Sequence, residues 1–264
     1  GRQALSQVPD HPGTLGLAIS EAVEEAMEGH RTKCALPTVL NYVVLHQTIM
    51  GLEARGQLER EGLYPDLVVG SAGGGTGFAG LAFPFLREHL RGRPGRFLVV
   101  EPSAAPSLTR GAYAYDYADA VGLFPLLKMY TLGHSYTPPS AMEATGMGYH
   151  GMSPIVSALV QKGVVEARAE GQREALQAAV QFAQHEGVTV GPEAAFTLKG
   201  VVDEALACRE KGEKRVILFS VNYLGYLSLQ AYEALSRREL QDAALDEEAL
   251  RKALSELPQV KEGS

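Results

Sequence analysis

The fold is decided by the stretch DLVVGSAGGGTGFAGLAFP, residues 66–84. It opens on a short, wholly apolar run, residues 67–70, which predicts a β-strand that is covered on both faces. Five residues dominated by glycine follow, and from Phe78 onward the apolar residues recur at helical spacing despite Pro84. A buried strand, a glycine-rich turn and a helix in this order are typical of an open α/β sheet.

Further strands and helices alternate on either side of this stretch. The apolar runs 97–101 and 216–221 predict two more buried strands. Apolar periodicity predicts helices over residues 15–27, 43–57, 78–90, 155–159, 172–185 and 193–211. This alternation predicts an α/β fold with an open parallel sheet flanked by helices. Ligands bind beyond the carboxyl ends of such strands, so we expect the site near Ser71, Glu101 and residues 220–222.

Three parts are expected along the chain. In the first helix Thr14 is a candidate N-cap, and Gly29 is expected to end it. Residues 102–155 are rich in proline, glycine and tyrosine and predict a long, irregular loop region of functional importance. The chain opens Gly-Arg-Gln without a methionine, and we expect it to begin inside a longer polypeptide. The parts are a helical lead-in (1–60), an α/β domain (61–235) and a charged helical tail that frays (236–264).

Composition excludes several classes of protein. The 264 residues carry a net charge of −7 with no basic stripe, which argues against binding to nucleic acid or to anionic membranes. The two cysteines, Cys34 and Cys208, form neither a disulfide framework nor a metal knuckle, so we expect a reducing cytoplasm. The longest apolar runs fall far short of the roughly 20 residues that span a bilayer, so no membrane segment is predicted.

The glycine-rich turn predicts a phosphate site. It consists of Gly73, Gly74, Gly75, Thr76 and Gly77, between a strand and a helix. Without Cβ atoms the successive N–H groups can converge on one anion, and the helix adds the positive end of its dipole. The turn is neither a Walker loop nor a GxGxxG motif. It favours a compact monophosphate held by the backbone without lysine or metal, although a tight turn with no ligand has the same sequence.

Six stretches, in order along residues 13–193, resemble one family. They are GTLGLAISEAV (13–23), DLVVGSAGGGTGFAGLAFP (66–84), EPSAAPSLTRG (101–111), LLKMYTLGH (126–134), YHGMSP (149–154) and EGVTVGPE (186–193). Together they resemble the tryptophan synthase β chain, specifically its second, often stand-alone type. The similarity extends over roughly residues 1–235 and matches the later part of the family chain, from the edge of its communication region onward.

The resemblance implies a fold, a cofactor and a reaction. The fold is that of fold-type II pyridoxal-phosphate enzymes, in which the cofactor lies between two α/β domains. The glycine-rich turn is then expected to hold the phosphate of pyridoxal 5'-phosphate, Glu193 to lie near the pyridine ring and Asn222 to face the ring nitrogen. Glu193 is equally explained as an acid that favours a helix N-terminus. The implied reaction replaces the β-hydroxyl of L-serine with indole or a related nucleophile. The family also implies a homodimer and, often, a monovalent cation.

The sequence departs from the family at several positions. No lysine lies in the family's lysine motif, so this chain holds no catalytic Schiff-base lysine, and we expect an upstream lysine-bearing segment to supply it. Lys33, Lys162 and Lys199 are expected to be solvated surface residues. Gly77 replaces a family asparagine, and Gly148 stands where a family arginine is expected. Asn222 to Gly225 replace Ser-Gly-His-Gly, which keeps a donor for a neutral ring nitrogen but gives a bulkier pocket wall.

Four residues are candidates for a substrate pocket, namely His46, Gly148, Tyr149 and His150. His150 and His134 have a chemistry suited to proton transfer, and a hydrogen-bonded structural histidine is the other interpretation of each. No histidine pair has the spacing of metal ligands, so no metal site is expected. Three functions stay open: part of a β-replacement enzyme, a non-catalytic binding or assembly module with the same fold, and an enzyme that uses another substrate.

Overall fold

Four parallel strands form the central sheet. The structure, a computed structural model, describes residues 13–29, 31–35, 39–221 and 228–260. Strands β1 (Leu67–Ser71) and β2 (Arg96–Pro102) lie at the centre, flanked by β6 (Ile217–Phe219) and β5 (Glu166–Glu170), respectively. The spatial order is β5-β2-β1-β6, with Leu67 beside both Arg96 and Ile217. The predicted open parallel sheet is confirmed.

Helices cover both faces of this sheet. The helical segments that the sequence predicts are all present, with ends that differ by a few residues. The helices are α1 (Leu15–Glu28), α2 (Asn41–Arg60), α3 (Thr76–His89), α4 (Ser107–Arg110), α5 (Pro154–Gln161), α6 (Gln172–Glu186), α7 (Pro192–Lys211), α8 (Leu229–Ser236) and α9 (Glu247–Ser255), with a 3-10 turn at Thr145–Met147. None of the helices in these described segments combines the length and apolarity that crossing a membrane requires.

The sheet separates two hydrophobic cores. Alternate residues of β1 point to opposite faces, so Val69 packs in the core formed with α6 and α7, whereas Val68 packs in the core formed with α3 and α5. Both side chains are fully buried. Helix α2 lies across α3, where a Cβ on Gly80 would come within 2.7 Å of the Gln47 carbonyl oxygen. Glycine therefore permits the close helix contact that fixes α3 above the sheet.

The sequence failed to predict three strands. Residues 102–155 include an antiparallel hairpin of β3 (Ala112–Tyr117) and β4 (Leu126–Thr131), where an irregular region was expected. The alternation Ala-Tyr-Ala-Tyr-Asp-Tyr has the period of two that a half-buried strand requires. Strand β5, with the sequence EARAE, was also missed because its charges are those of an edge strand. Its Arg168 pairs with Glu204 of α7 at 2.7 Å.

The carboxyl-terminal segment is docked on the core, so the expectation that it frays is wrong. Leu250 and Ala253 of α9 are 5% and 2% exposed and belong to the larger core. Helix α9 approaches the backbone at Gly133, whose φ is +95° and whose added Cβ would lie 2.6 Å from the Ala253 carbonyl oxygen. Asp246 caps the helix by accepting from two backbone N–H groups. The division at residues 60 and 235 stays a prediction.

Candidate functional site

A cleft opens at the carboxyl end of β1. Its volume is about 200 Å³, and since one water needs about 10–15 Å³ of such space, the cleft admits a small molecule. The lining residues come from α1, the turn after β1, the 3-10 turn and the start of α7. They are Leu15, Ile19, Val39, Ser71, Ala72, Gly73, Gly74, Gly75, Thr76, Gly77, Gly146, Met147, Tyr149 and Glu193. The structure thus brings the whole glycine-rich turn and Glu193 into one cleft.

The glycine-rich turn needs glycine because neighbouring residues pack closely against its backbone. A Cβ on Gly73 would come within 2.8 Å of Met147 Cα, and one on Gly74 within 2.8 Å of a Val39 methyl carbon. Gly75 has φ +84° and precedes the first residue of α3, and a Cβ there would lie 2.5 Å from the Met152 sulfur. The glycines of the turn are therefore closely packed against their neighbours, and apart from Thr76 the turn presents backbone to the cleft.

The backbone donors of the turn are available to a ligand. Within the described segments, none of the amide N–H groups of residues 73–77 donates to a protein acceptor. Helix α3 has no acidic residue in its first turn and no side chain that caps its first N–H groups. Its positive dipole end is therefore uncompensated beside the cleft. Neutral donors at a helix N-terminus suit a phosphoryl group, so the residues present fit the phosphate of the implied cofactor.

Glu193 lies on the other side of the cleft, where several contacts hold it in place. It lies in the first turn of α7 directly after Pro192, a residue favoured at the first helical position. One Glu193 carboxylate oxygen accepts from the Gly146 amide at 3.2 Å. Helix α7 is tied to the end of β1, because the Ser71 amide donates to Thr197 Oγ1 at 2.8 Å. These hydrogen bonds thereby fix the Glu193 carboxylate relative to the end of β1 and the glycine-rich turn that follows it.

The remaining wall of the cleft is apolar. Ile19, Val39 and Tyr149 are 7%, 2% and 2% exposed and belong to one small hydrophobic cluster. The Tyr149 hydroxyl donates to the Ala118 carbonyl oxygen at 2.5 Å. Burial raises the pKa of Tyr149, so the phenol remains protonated and acts as a donor. This wall offers aromatic and aliphatic surface with few polar atoms.

Of the four predicted substrate-pocket residues, Tyr149 lines this cleft, whereas His46, Gly148 and His150 do not. His46 is exposed on α2. Gly148 faces Met142 and Pro138 instead of the cleft. His150 is 3% exposed, and its Nε2–H donates to the Tyr117 carbonyl oxygen at 2.8 Å, so it has the geometry of a structural histidine. Burial lowers its pKa. Asn222 lies outside the described residues.

Only one of the three strand ends named in the sequence analysis contributes to the cleft in the part of the chain described. Ser71 lines it, whereas Glu101 is 1% exposed and turns away to cap α4, where it accepts from the amides of Leu108 and Thr109. Burial raises the pKa of Glu101 to about 7. A polar residue at a strand end is thus used here to hold a short helix. Residue 222, at the third end, lies outside the described segments.

No lysine lines this cleft within the described segments. Lys199 is not the solvated residue that the sequence indicates: its ammonium group lies 2.6 Å from Asp203 and 3.6 Å from Glu170. These carboxylates outweigh burial and raise its pKa. Among the residues described, no group of three His, Cys, Asp or Glu side chains is arranged to hold a metal ion.

Apart from Tyr149, sequence reasoning missed the apolar half of the cleft. Leu15 and Ile19 project from α1, and Gly146 and Met147 belong to the 3-10 turn. The periodicity of α1 revealed an apolar face but not what that face covers. The available signal was the match of residues 13–23 to a segment of the family, which indicates more than a generic amphipathic helix.

Comparison with known proteins agrees with this geometry. Residues 10–221 match the model of a family described as pyridoxal-phosphate dependent enzyme. Proteins named tryptophan synthase beta chain 2 are similar over most of the chain. The one from Aquifex aeolicus is 50% identical over 92% of this chain and 56% of its own length, and the one from Thermotoga maritima is 49% identical over 88% and 55%. The chain thus spans about half the length of these relatives.

Solved structures show the same fold at low identity. An L-serine ammonia-lyase from Rhizomucor miehei aligns with a TM-score of 0.60 at 15% identity, covering 83% of this chain and 64% of the other. A cysteine synthase from Entamoeba histolytica aligns with a TM-score of 0.57 at 16% identity, over 90% and 59%. Since the family model covers most of the sequence and its glycine-rich turn lines the cleft, the chain belongs to the family of pyridoxal-phosphate dependent enzymes.

Proposed function

We propose that this chain is the cofactor-phosphate-binding part of a pyridoxal-phosphate-dependent β-replacement enzyme of the tryptophan synthase β type. The observation that carries the proposal is the row of amides at residues 73–77, which donate to no acceptor in the described part of the chain and lie in a cleft at the N-terminus of α3. The names of the relatives, of whose length this chain spans about half, support the choice of reaction.

Each part of the cleft has a role in this proposal. The amides of Gly73, Gly74, Gly75, Thr76 and Gly77 hold the phosphate by hydrogen bonds that need no counter-charge. Glu193, held by the Gly146 amide, would be the acidic residue near the pyridine ring of a bound cofactor. Asn222, which lies outside the described residues, would supply an amide to the ring nitrogen, and such an amide would leave the nitrogen uncharged because it does not protonate it. When bound, pyridoxal phosphate supplies an electron sink for the α-carbon of an amino acid.

The apolar wall favours an aromatic nucleophile beside L-serine. Leu15, Ile19 and Tyr149 give the cleft a surface that excludes water and suits a flat, apolar ring such as indole. Exclusion of water protects a β-replacement from competing hydrolysis. Without an arginine at position 148, the carboxylate of the amino acid has to be oriented by other groups, which leaves the amino acid specificity open to analogues of serine.

A second segment has to complete the site. The matching relatives are nearly twice the length of the aligned region, and among the described residues no lysine lines the cleft. We therefore propose that a lysine-bearing segment, upstream in the same polypeptide or on another chain, closes the cleft. A homodimer is part of the same proposal.

One experiment tests this function directly. The 264-residue chain is mixed with the amino-terminal half of the Aquifex aeolicus relative, then supplied with pyridoxal phosphate, L-serine and indole. Formation of tryptophan, together with a new absorbance band of the bound cofactor, is the expected result. The chain alone should form no tryptophan. A mixture that shows neither band nor product, although the two parts associate, contradicts the proposal.

A non-catalytic binding module is the second candidate. It is favoured by the absence of a lysine from the lining of the cleft in the described segments and by the departures at Gly77, Gly148 and Asn222. In that case the chain binds pyridoxal phosphate reversibly even with the lysine-bearing half present, and borohydride reduction traps no adduct on either part. A trapped adduct in the mixture excludes this candidate.

A further inference from the structure

One buried carboxylate organises the loop between β3 and β4, residues 118–124. Asp119 is fully buried, and its Oδ1 accepts from the Phe124 amide at 2.9 Å. Its Oδ2 accepts from the amides of Leu123 at 3.0 Å and Val121 at 3.3 Å. These three bonds fold the 118–124 loop around the carboxylate and suffice to hold it in this shape.

The same carboxylate makes a fourth bond that the loop does not need. The Ser20 hydroxyl of α1 lies 2.9 Å from Asp119 Oδ2, across 99 residues of sequence, and 3.0 Å from the Gly16 carbonyl oxygen of its own helix, and it donates its one hydrogen between these two acceptors. Ser20 is 4% exposed, so this bond lies away from water. The Ala120 amide also donates to the Gly16 carbonyl oxygen at 3.3 Å. Helix α1 is thus fastened to the 118–124 loop at two successive turns.

This fastening sets the apolar wall of the cleft. Ile19, directly before Ser20 on α1, and Leu15, a little more than one turn before it, line the cleft. Ile19 packs with Phe124 of the loop and with Tyr149, in a cluster separate from the two main cores of the described chain. Ser20 and Asp119 are both buried, so the hydrogen bond between them contributes to holding α1 against the loop.

Tyr149 is held by the same loop. Its hydroxyl donates to the Ala118 carbonyl oxygen, while its ring faces the cleft beside Gly74. The 118–124 loop therefore fixes both sides of the apolar wall, Tyr149 directly and α1 through Asp119. The phosphate turn, in contrast, is positioned mainly by β1, α3 and Met152, and it meets the residues held by this loop only at Gly74, which lies beside Val39 and Tyr149.

We propose that Asp119 is a positioning residue that clamps α1 through Ser20 and so sets the affinity of the cleft for a flat aromatic ligand, with a smaller effect on phosphate binding. The ligand class rests on the proposed function, whereas the clamp itself does not. The two can therefore be tested separately on the 264-residue chain.

The clamp is tested by amide hydrogen exchange of wild type and of Ser20→Ala. Loss of one buried hydrogen bond is expected to speed the exchange of α1 about 5- to 10-fold. Residues 121–124 keep their exchange rates, because Asp119 retains its three amide donors. Glu24→Ala, on the exposed side of α1, is the matched control and leaves the exchange of α1 unchanged. Unchanged exchange of α1 in Ser20→Ala overturns the proposal.

The ligand effect is tested by titration with indole and with pyridoxal phosphate. Ser20→Ala is expected to weaken indole binding about 5-fold and pyridoxal phosphate binding less than about twofold. Ser20→Thr keeps the hydroxyl and restores indole binding. Equal weakening of both ligands would mean that α1 has only a structural role. Wild type that binds no indole overturns the aromatic assignment, and wild type that binds no pyridoxal phosphate overturns the proposed function while the exchange experiment still decides the clamp.

Discussion

Gly75 meets three requirements at a single residue. Its φ of +84° lies in the left-handed region, its missing Cβ makes room for the Met152 sulfur, and its carbonyl accepts the first helical bond of α3, from the Ala79 amide. The first two requirements exclude other residues for separate reasons, one of backbone strain and one of packing.

Gly75→Ala should therefore lower the free energy of unfolding by about 3 kcal/mol, the sum of left-handed strain and overpacking. Gly187→Ala is the matched control. Gly187 also has positive φ, +70°, but a Cβ there meets nothing within 4 Å, so the expected cost is about 1 kcal/mol. Urea unfolding followed by circular dichroism measures both. If the two substitutions lowered the free energy of unfolding equally, the Met152 sulfur would not be closely packed against residue 75.

Two histidines near the hairpin are expected to titrate in opposite directions. His134 Nδ1 donates to the buried Asp116 carboxylate at 2.7 Å, which raises its pKa above the usual 6.5. Burial lowers the pKa of His150 below that value. The folding stability due to His134 is thus present below pH 6.5 and lost as pH rises through its raised pKa. That due to His150 is present above pH 6.5 and lost as pH falls.

Proton NMR titration of the imidazole C–H signals checks this ordering. His134→Gln and His150→Gln assign the two signals. We expect the signal of His134 to move at a pH above 6.5 and the signal of His150 to move at a pH below 6.5. The reverse order would contradict the hydrogen-bonding arrangement of the hairpin.

At the scale of elements, the ends of helices show how far the sequence could be interpreted. Thr14 was predicted as an N-cap, and its hydroxyl accepts from the Leu17 amide at 3.0 Å. Short local motifs of this kind are encoded within four residues. Ser153 also occupies an N-cap position, yet its buried hydroxyl makes no hydrogen bond within the described segments. Sequence alone cannot distinguish the two.

Ser153→Ala is accordingly expected to leave stability unchanged or to raise it by up to about 1 kcal/mol, because an unsatisfied buried hydroxyl is removed. Asp246→Ala provides the comparison. Asp246 accepts from the amides of Glu248 and Ala249, and its loss should cost about 1 kcal/mol. Thermal or urea unfolding measures the difference, and a cost at Ser153 equal to that at Asp246 would contradict the assignment.

The strands differ in how far the sequence could predict them. Strands β1 and β2 were predicted because both faces are buried, so their sequences are uniformly apolar. The hairpin was missed although β3 has the period of two that a strand requires. Strand β5 was missed because its pairing with β2, distant in sequence, decides it, and its own charged sequence does not record that neighbour. In the site, the glycine-rich turn was recognisable from contiguous residues. The apolar wall was not, since it joins α1, the 118–124 loop and Tyr149 across more than 100 residues of chain.

At the scale of the whole molecule, the carboxyl-terminal segment is part of the core and not an appendage. Leu250→Ala should cost about 3 kcal/mol, because Leu250 is 5% exposed and its loss leaves a cavity. Leu206→Ala, at a position 40% exposed on α7, should cost less than about 1 kcal/mol. Urea unfolding of both variants tests the docking of α9. Equal, small costs would indicate that the segment frays after all.

The central claim is that backbone amides of residues 73–77 hold a phosphoryl group, and comparison of pyridoxal phosphate with pyridoxal on the wild-type 264-residue chain tests it most directly. Calorimetry should give micromolar binding for pyridoxal phosphate and at least about 100-fold weaker binding for pyridoxal, with a shifted phosphorus NMR signal of the bound ligand. Equal affinity for the two, or a phosphorus signal unchanged on binding, would contradict the account.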